Sequence, residues 1–137
     1  MMDQTDMLIL SEMAKNSRIT MKELGEKVHL TGQAAATRVA KLEDNGVLEG
    51  YTIKVNQSKL GCFLHAFITI YTNSHNHQPM LNFLNTQEHY LLNNYKISGD
   101  GCYLVECRFP SNEHVDQFLQ GLSEYANYKL SMVIKRS

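Results

Sequence analysis

Residues 30–46 read LTGQAAATRVAKLEDNG and have the features of a capped amphipathic helix. Thr31 can accept a hydrogen bond from an early helical N–H, and Gly46 can adopt the left-handed conformation that often ends a helix. Between these ends, one set of residues at helical spacing is apolar, and a second set about half a turn away is polar. The apolar set is Ala35, Val39 and Leu42, and the polar set is Gln33, Thr37 and Lys41. The stretch therefore predicts a helix with one packed face and one exposed polar face.

The polar face carries an amide, a hydroxyl and an ammonium group, and the small residues Ala36 and Ala40 flank it. Such a face can approach a DNA major groove closely and present hydrogen-bonding groups to the base edges. An ordinary surface helix is the alternative, because its outer face is polar as well. For this helix alone the ordinary surface helix is the better interpretation, and the segments before it decide between the two.

Two further helices are predicted before this one. The first covers residues 3–15, and the second begins after Thr20, which is a good N-capping residue. Only residues 29–31 connect the second helix to the third, and this is the turn length of a helix-turn-helix motif. His29 tolerates the left-handed region better than most residues, and Gly25 is expected to allow close approach of the third helix. The apolar positions are Met7, Leu10, Met13 and Ala14 in the first helix and Leu24 and Val28 in the second.

The chain after residue 61 has the pattern of four strands and two helices in the order βαββαβ. One helix begins at Pro79 and the other is capped by Ser111, while the strands are predicted over residues 62–72, 90–98, 102–109 and 129–135. This order is typical of a ferredoxin-like domain, with both helices on one face of a four-stranded antiparallel sheet. The first strand is nearly apolar on both faces, which predicts burial on both sides. The helices can cover only one face, so a second copy of the chain is the simplest cover for the other.

We therefore predict an α+β protein with three parts. Residues 1–50 form a (winged) helix-turn-helix DNA-binding domain, residues 51–61 an extended linker, and residues 62–137 a ferredoxin-like oligomerisation and effector-binding domain. Residues 47–56 alternate apolar residues around Gly50 and predict a short hairpin or an extended hinge.

Composition limits the class of protein. Hydrophobic residues make up 43% and charged residues 20% of the 137 residues, which is ordinary for a globular protein and excludes a disordered chain. No apolar run is long enough for a membrane span, and residues 1–7 lack the regions of a signal peptide, so we expect a cytoplasmic protein with no membrane partner. The cysteines have no CxxC spacing and are interpreted as small buried residues; they are Cys62, Cys102 and Cys107.

The charge of the chain does not favour a broad basic surface for nucleic acid. The formal net charge is −1, and in residues 1–50 eight acidic residues outnumber six basic ones. DNA binding must then rest on the placement of a few basic groups. We expect Lys22, Arg38 and Lys41 to meet phosphates while the acidic residues face elsewhere.

The arrangement resembles the Lrp/AsnC family of feast/famine regulators over nearly the whole chain. Four groups of residues in the first 61 positions carry the resemblance through their order and spacing. They are Asp3, Asp6, Ile9 and Leu10; Asn16, Arg18, Ile19, Thr20 and Leu24; Leu30, Thr31, Arg38, Val39, Leu42, Glu43, Gly46, Val47 and Leu48; and Gly50, Tyr51, Leu60 and Gly61. The resemblance implies a sequence-specific DNA-binding transcriptional regulator, without enzymatic activity and without a cofactor.

The resemblance and the exposed helix face together define two predicted sites. The DNA-binding residues are Lys22, Thr31, Gln33, Ala36, Thr37, Arg38 and Lys41. The resemblance also implies homodimers that assemble further, commonly into octamers, and an amino-acid effector site at the turn that contains Gly99, Asp100, Gly101 and Cys102. Family members often have a basic residue where Thr37 stands, an aromatic residue at Gly101 and an acid at Cys102. These differences leave the operator and the effector open.

Two alternatives to a sequence-specific regulator remain at this stage. Some proteins of this architecture act as sirohaem decarboxylases, and His65, His89 and Arg108 are the candidate pocket residues here. A protein that wraps DNA with little sequence preference is the second alternative. A metal site is not expected, because His75 and His77 lack a third ligand at suitable spacing and are predicted to be solvated.

Overall fold

The computed structural model describes residues 2–137, and these form five α-helices and four β-strands. Met1, with which the first predicted domain begins, lies outside the described residues. Contacts divide the chain into two compact units, with the division after Lys54, inside the segment predicted as a linker. None of the helices in residues 2–137 combines the length and the apolar character that a membrane span needs.

The first unit contains the three predicted helices, each with a side-chain cap at its N-terminus. Asp3, Thr20 and Thr31 accept hydrogen bonds from the backbone N–H three residues later, which satisfies a donor that has no partner inside the helix. The helices are α1 (Gln4–Lys15), α2 (Met21–Val28) and α3 (Gly32–Asp44). Gly46 follows α3 with a φ of 73°, so both predicted ends of the third helix are confirmed.

The turn from α2 to α3 is tight. His29 adopts the left-handed conformation with a φ of 62°, as the sequence predicts. A methyl group at Gly25 would lie 2.6 Å from the carbonyl oxygen of Leu30 and 2.9 Å from that of Thr31. The expected close approach at Gly25 is therefore confirmed, and the backbone that approaches is the turn at the start of α3.

The core of the first unit differs from the prediction at α1. Ile9 is fully buried and Met13 nearly so, whereas Met7 is 55% exposed and Ala14 is also exposed. Residues 7–10 are apolar in succession, so helical spacing alone does not identify the face that packs. The buried side chains of this unit are Ile9, Met13, Ile19, Leu24, Val28, Ala35, Val39 and Leu42.

The predicted hairpin after α3 is absent, and residues 2–54 contain no strand. The N–H groups of Val47 and Leu48 both donate to the carbonyl oxygen of Leu42 at 3.0 Å, and Leu48 packs against the core of the first unit. The chain is thereby turned back onto α3. Residues 49–56 then run without regular secondary structure, which agrees with the extended alternative.

The second unit has the βαββαβ order of a ferredoxin-like fold. Its sheet is antiparallel throughout, in the order β2-β3-β1-β4, and β1 lies between β3 and β4 with Ile68 opposite Val105 and Leu130. The elements are β1 (Leu64–Tyr71), α4 (Gln78–Thr86), β2 (Leu91–Lys96), β3 (Tyr103–Phe109), α5 (Asn112–Ser123) and β4 (Asn127–Met132). β4 lies two to three residues earlier than predicted, and Ile134, expected on its apolar face, is 97% exposed.

One face of the sheet carries the core and the other has no cover within the described chain. Ala66, Ile68 and Ile70 are fully buried with the apolar sides of α4 and α5, whereas Phe67 on the opposite face is half-buried. Phe63, just before β1, is 65% exposed. The predicted burial of β1 on both sides is therefore wrong for the single chain.

The cysteines also depart from the prediction in part. Cys107 is fully buried in the sheet core, and this burial raises the pKa of its thiol to about 12. Cys62 and Cys102 are only partly buried. All three are free thiols in the described chain.

Substitution of Gly25 tests the tight turn. We expect Gly25→Ala to lower the free energy of unfolding of the first unit by about 1–3 kcal/mol, because the new methyl group meets backbone atoms rather than a movable side chain. Gly50→Ala is the matched control, since a methyl group there has no atom within 4 Å. Urea unfolding followed by far-ultraviolet circular dichroism measures both variants. Equal stability of the two would contradict the packing described for this turn.

Candidate functional site

The exposed face of α3 carries the predicted polar side chains. Gln33, Thr37 and Lys41 are all exposed, while Ala35 and Val39 on the opposite face are buried. The Thr37 hydroxyl donates to the carbonyl oxygen of Gln33 at 3.0 Å, which leaves its methyl group and an oxygen lone pair on the surface. The helix thus presents an exposed polar stripe, formed by Gln33, Thr37 and Lys41.

The N-terminal end of α3 lies against the first turn of α2. Thr31 is exposed and its hydroxyl accepts from the N–H of Ala34 at 3.1 Å. A methyl group at Gly32 would lie 3.3 Å from the Cα of Lys22, whose own side chain is exposed. The structure therefore brings Lys22 and Thr31 to one end of the stripe, where a helix N-terminus favours negative charge.

Small residues border the stripe along α3. Ala36 is partly buried and Ala40 is exposed. Neither side chain extends beyond its methyl group, so a partner surface can come close to the backbone of the helix. The role of Ala36 in such an approach stays a prediction.

Arg38 differs from the other predicted residues, because its guanidinium group is already paired. Its Nη1 atom lies 2.7 and 2.8 Å from the two carboxylate oxygens of Asp3 and 3.2 Å from Oδ1 of Asp6. The prediction that acidic residues face away from the basic ones is wrong for this pair. The hydrogen bond from Arg38 lowers the pKa of Asp3, so the ion pair holds at neutral pH and weakens as the pH falls through that lowered pKa.

The second predicted site is the turn between β2 and β3. Gly99 and Gly101 have φ values of 95° and 98°, which a residue with a side chain rarely adopts. A methyl group at Gly101 would also lie 2.5 Å from Cγ2 of Thr69. The turn is therefore packed against β1, and a side chain at Gly101 would collide with Thr69.

Two of the groups expected to hold an effector have partners inside the chain. Oδ1 of Asp100 accepts from the hydroxyl of Tyr71 at 3.0 Å, and the N–H of Cys102 donates to the carbonyl oxygen of Ile70 at 2.8 Å. The hydroxyl of Thr72 donates to the Cys102 sulfur, and this hydrogen bond lowers the pKa of the thiol. Tyr71 and Thr72 could not be identified from the sequence of the turn, because they lie at and just after the end of β1, about 30 residues earlier.

His77 links this turn to the start of α4. Its two ring nitrogens lie 2.8 Å from the hydroxyl oxygen of Thr72 and 3.0 Å from that of Tyr103. The prediction of a solvated side chain is therefore wrong for His77. Within residues 2–137, no group of three or more metal-binding side chains occurs at this turn or elsewhere.

The uncovered face of the sheet holds a second polar cluster. Glu106 lies 2.6 Å from Nε2 of His65 and accepts from the amide of Asn93 at 2.8 Å, and these contacts lower its pKa. Arg108 lies beside them, and its Nε atom is buried without a hydrogen-bond partner among residues 2–137. His65 and Arg108 line an open depression of about 770 Å³, whereas His89 does not line it. The structure thus brings together only two of the three residues considered for a decarboxylase pocket.

Comparison with known proteins agrees with this architecture. A family model described as "Winged helix-turn-helix DNA-binding" matches residues 2–49, and one described as "Lrp/AsnC ligand binding domain" matches residues 65–137. The chain is 60% identical to the HTH-type transcriptional regulator LrpA of Bacillus subtilis, over 98% of each chain.

Two solved structures share the fold over nearly the whole chain. The structure of B. subtilis LrpC has a TM-score of 0.93 at 28% identity and covers 100% of this chain and 97% of its own. A regulator from Neisseria meningitidis, NMB0573, solved as a complex with L-Met, has a TM-score of 0.86 at 24% identity and covers 98% and 91%. The relatives compared are described as transcriptional regulators, so the decarboxylase alternative has no support. The chain belongs to the Lrp/AsnC family of DNA-binding transcriptional regulators.

Proposed function

We propose that the chain reads its operator with α3 lying in the major groove of duplex DNA. The observation that carries this proposal is the exposed polar stripe of Gln33, Thr37 and Lys41 on a helix whose opposite face is buried. The groove is wide enough to admit a helix, and the recognition helix of a helix-turn-helix motif contacts base edges with its N-terminal residues.

Each side chain of the stripe has a role that its chemistry favours. Gln33 presents a donor and an acceptor that match N7 and the N6 amino group of adenine, and Thr37 can hydrogen-bond to a base or contact the thymine methyl group. Lys22, Thr31 and Lys41 contact phosphates at the two ends of the stripe, and Ala36 keeps the helix close to the groove. Base contacts by Gln33 and Thr37 then supply the sequence preference.

We propose that the working form is a homodimer that pairs through the uncovered face of the sheet. Phe63 is exposed and Phe67 half-buried there beside the polar cluster of Glu106, and exposed apolar side chains rimmed by polar residues often mark a protein–protein interface. Two copies double the phosphate contacts that one copy with a net charge of −1 can make. The two α3 helices then meet half-sites about one helical turn, or a multiple of it, apart. Further assembly up to an octamer is the extension that the family resemblance suggests.

We also propose that a small amino-acid-like effector binds at the turn of Gly99, Asp100, Gly101 and Cys102. The match to a ligand-binding family model over residues 65–137 supports a ligand in this unit. Asp100 can hold an ammonium group through its second carboxylate oxygen, which makes no hydrogen bond to residues 2–137, and glycine-rich turns offer N–H groups to a carboxylate.

A transcriptional regulator acts on chromosomal DNA, so we place this activity in the cytoplasm.

Replacement of Lys41 tests the DNA interface. Lys41→Gln should weaken binding to every duplex and lower the slope of log K against log salt concentration by about 1, because one phosphate contact is lost. Lys27→Gln is the matched control, since Lys27 is an exposed lysine on α2 outside the proposed interface. Fluorescence anisotropy at several salt concentrations measures both. An unchanged slope for Lys41→Gln would reject the proposed orientation of α3.

Replacement of Phe67 tests the dimer. Phe67→Asp should convert the dimer to a monomer, because it would bury an additional carboxylate in the proposed interface, opposite Glu106. Tyr128→Asp is the control: Tyr128 is opposite Ile70 in the register and therefore lies on the helix-covered face of the same sheet. Light scattering coupled to size-exclusion chromatography gives the mass of each variant. A Phe67→Asp variant with the wild-type mass would exclude this face as the interface.

Replacement of Asp100 tests the effector site. Calorimetric titration with a panel of L-amino acids, beginning with L-methionine, should give binding to the wild type and at least a tenfold weaker affinity for Asp100→Asn, because the ammonium group loses its anionic partner. Asp116→Asn, an exposed change on α5, is the control. If no amino acid binds the wild type, the turn is only a structural hairpin.

A further inference from the structure

Arg38 connects α3 to the first turn of α1. Its side chain is 33% exposed, and its Nη1 atom reaches three carboxylate oxygens that lie 32 and 35 residues earlier in the chain. The residue before it is Thr37, on the exposed stripe. These ion pairs therefore connect the start of α1 to the middle of α3.

The two carboxylates are held in place by α1 itself. Asp3 accepts from the N–H of Asp6 at 2.9 Å, and Asp6 accepts from the N–H of Asp3 at 3.2 Å, which is the reciprocal arrangement of a capping box. Neither acid can follow Arg38 without breaking a helix cap. Arg38 thus pairs with two carboxylates that the helix cap holds in place.

The ion pair of Arg38 with Asp3 and Asp6 also changes the charge beside the polar stripe. Asp3, Asp6 and Arg38 line the same open depression, of about 740 Å³, as Thr37 and Lys41. If Arg38 turned to a DNA phosphate, two carboxylates beside the stripe would lose their counter-charge and repel the phosphate backbone. Arg38 therefore favours DNA binding more by staying paired with Asp3 and Asp6 than by contacting a phosphate.

We propose that Arg38 is a positioning residue of the DNA interface and not a phosphate contact: its ion pair with Asp3 and Asp6 fixes the direction of α3 and offsets part of the negative charge beside Thr37 and Lys41. The proposal rests on the proposed placement of α3 in the major groove. It concerns a residue that the sequence analysis assigned to phosphate binding.

The two roles for Arg38 predict opposite effects of removing the acids. The variant Asp3→Asn/Asp6→Asn keeps the capping oxygens but loses both charges. If Arg38 positions α3, DNA affinity falls, by about threefold to tenfold relative to a control with the same change in net charge. The control is Glu26→Gln/Glu49→Gln, because neither glutamate makes an ion pair with residues 2–137. A rise in affinity over this control, or no difference from it, overturns the proposal.

Salt dependence distinguishes positioning from direct contact. Arg38→Gln should weaken binding while the slope of log K against log salt concentration stays at the wild-type value, whereas Lys41→Gln lowers that slope by about 1. The effects of Arg38→Gln and Asp3→Asn/Asp6→Asn should not add when combined, because they break one ion pair. A lowered slope for Arg38→Gln, or full additivity, overturns the proposal.

Folding is controlled in the same experiment. All titrations are run well below the unfolding midpoint of each variant, so a role in stability alone would leave the affinity unchanged, and that result also overturns the proposal. If Arg38→Gln does not fold, Arg38→Met, which also removes the charge, replaces it in the combination with the Asp3 and Asp6 changes. Absence of DNA binding by the wild type and by the Glu26→Gln/Glu49→Gln control alike would instead refute the proposed function, so the two failures are distinguishable.

Discussion

The close contact between Gly25 and the turn before α3 is the constraint on which the DNA-binding unit depends. The carbonyl oxygens of Leu30 and Thr31 occupy the space that any side chain at position 25 of α2 would need. This contact fixes where α3 begins, and the caps at Thr31 and Gly46 fix its ends. Since the buried set on α3 must face α1 and α2, the polar stripe is left on the surface. The exposure of the stripe is thus a consequence of packing on the other side of the helix.

In each unit one face packs inside the unit, and another face has no packing partner among residues 2–137. In the first unit that face is the polar stripe of α3, which we propose to lie in a groove lined with hydrogen-bonding edges. In the second it is a sheet surface with Phe67 and a buried guanidinium nitrogen of Arg108 that lacks a partner among residues 2–137. The proposed dimer would connect these two features, because a regulator with a net charge of −1 gains affinity when two copies present the same few phosphate contacts. Placement of charge, and not its amount, is what the chain provides.

Local signals in the sequence predicted much of this structure. Helix caps act within three residues, so Thr20, Thr31 and Ser111 were identified correctly. The strand predicted over residues 102–109 also corresponds to β3, in which every second side chain is buried with α4 and α5. The buried face of α1 and the absence of a hairpin after α3 were not predictable in this way, since both depend on which neighbour packs against an apolar run.

The candidate sites show the same limit. The residues of the α3 stripe follow from helical spacing, but the partners of Arg38 lie on a different helix more than 30 residues away, and no local pattern indicates the pair. The same holds for Tyr71, which reaches Asp100 from a neighbouring strand. Hydrogen bonds between distant segments therefore changed the interpretation of two residues whose types had suggested a ligand contact.

The most direct test is an equilibrium titration of the full chain with the DNA upstream of its own gene, in competition with random duplex, at about 50 and 200 mM salt. A regulator that reads sequence with α3 should prefer the upstream DNA at both concentrations, with the affinity for both duplexes falling steeply as salt rises. Equal binding to the two duplexes would contradict sequence readout by α3. No binding to either duplex at the lower salt concentration would contradict the DNA interface as a whole.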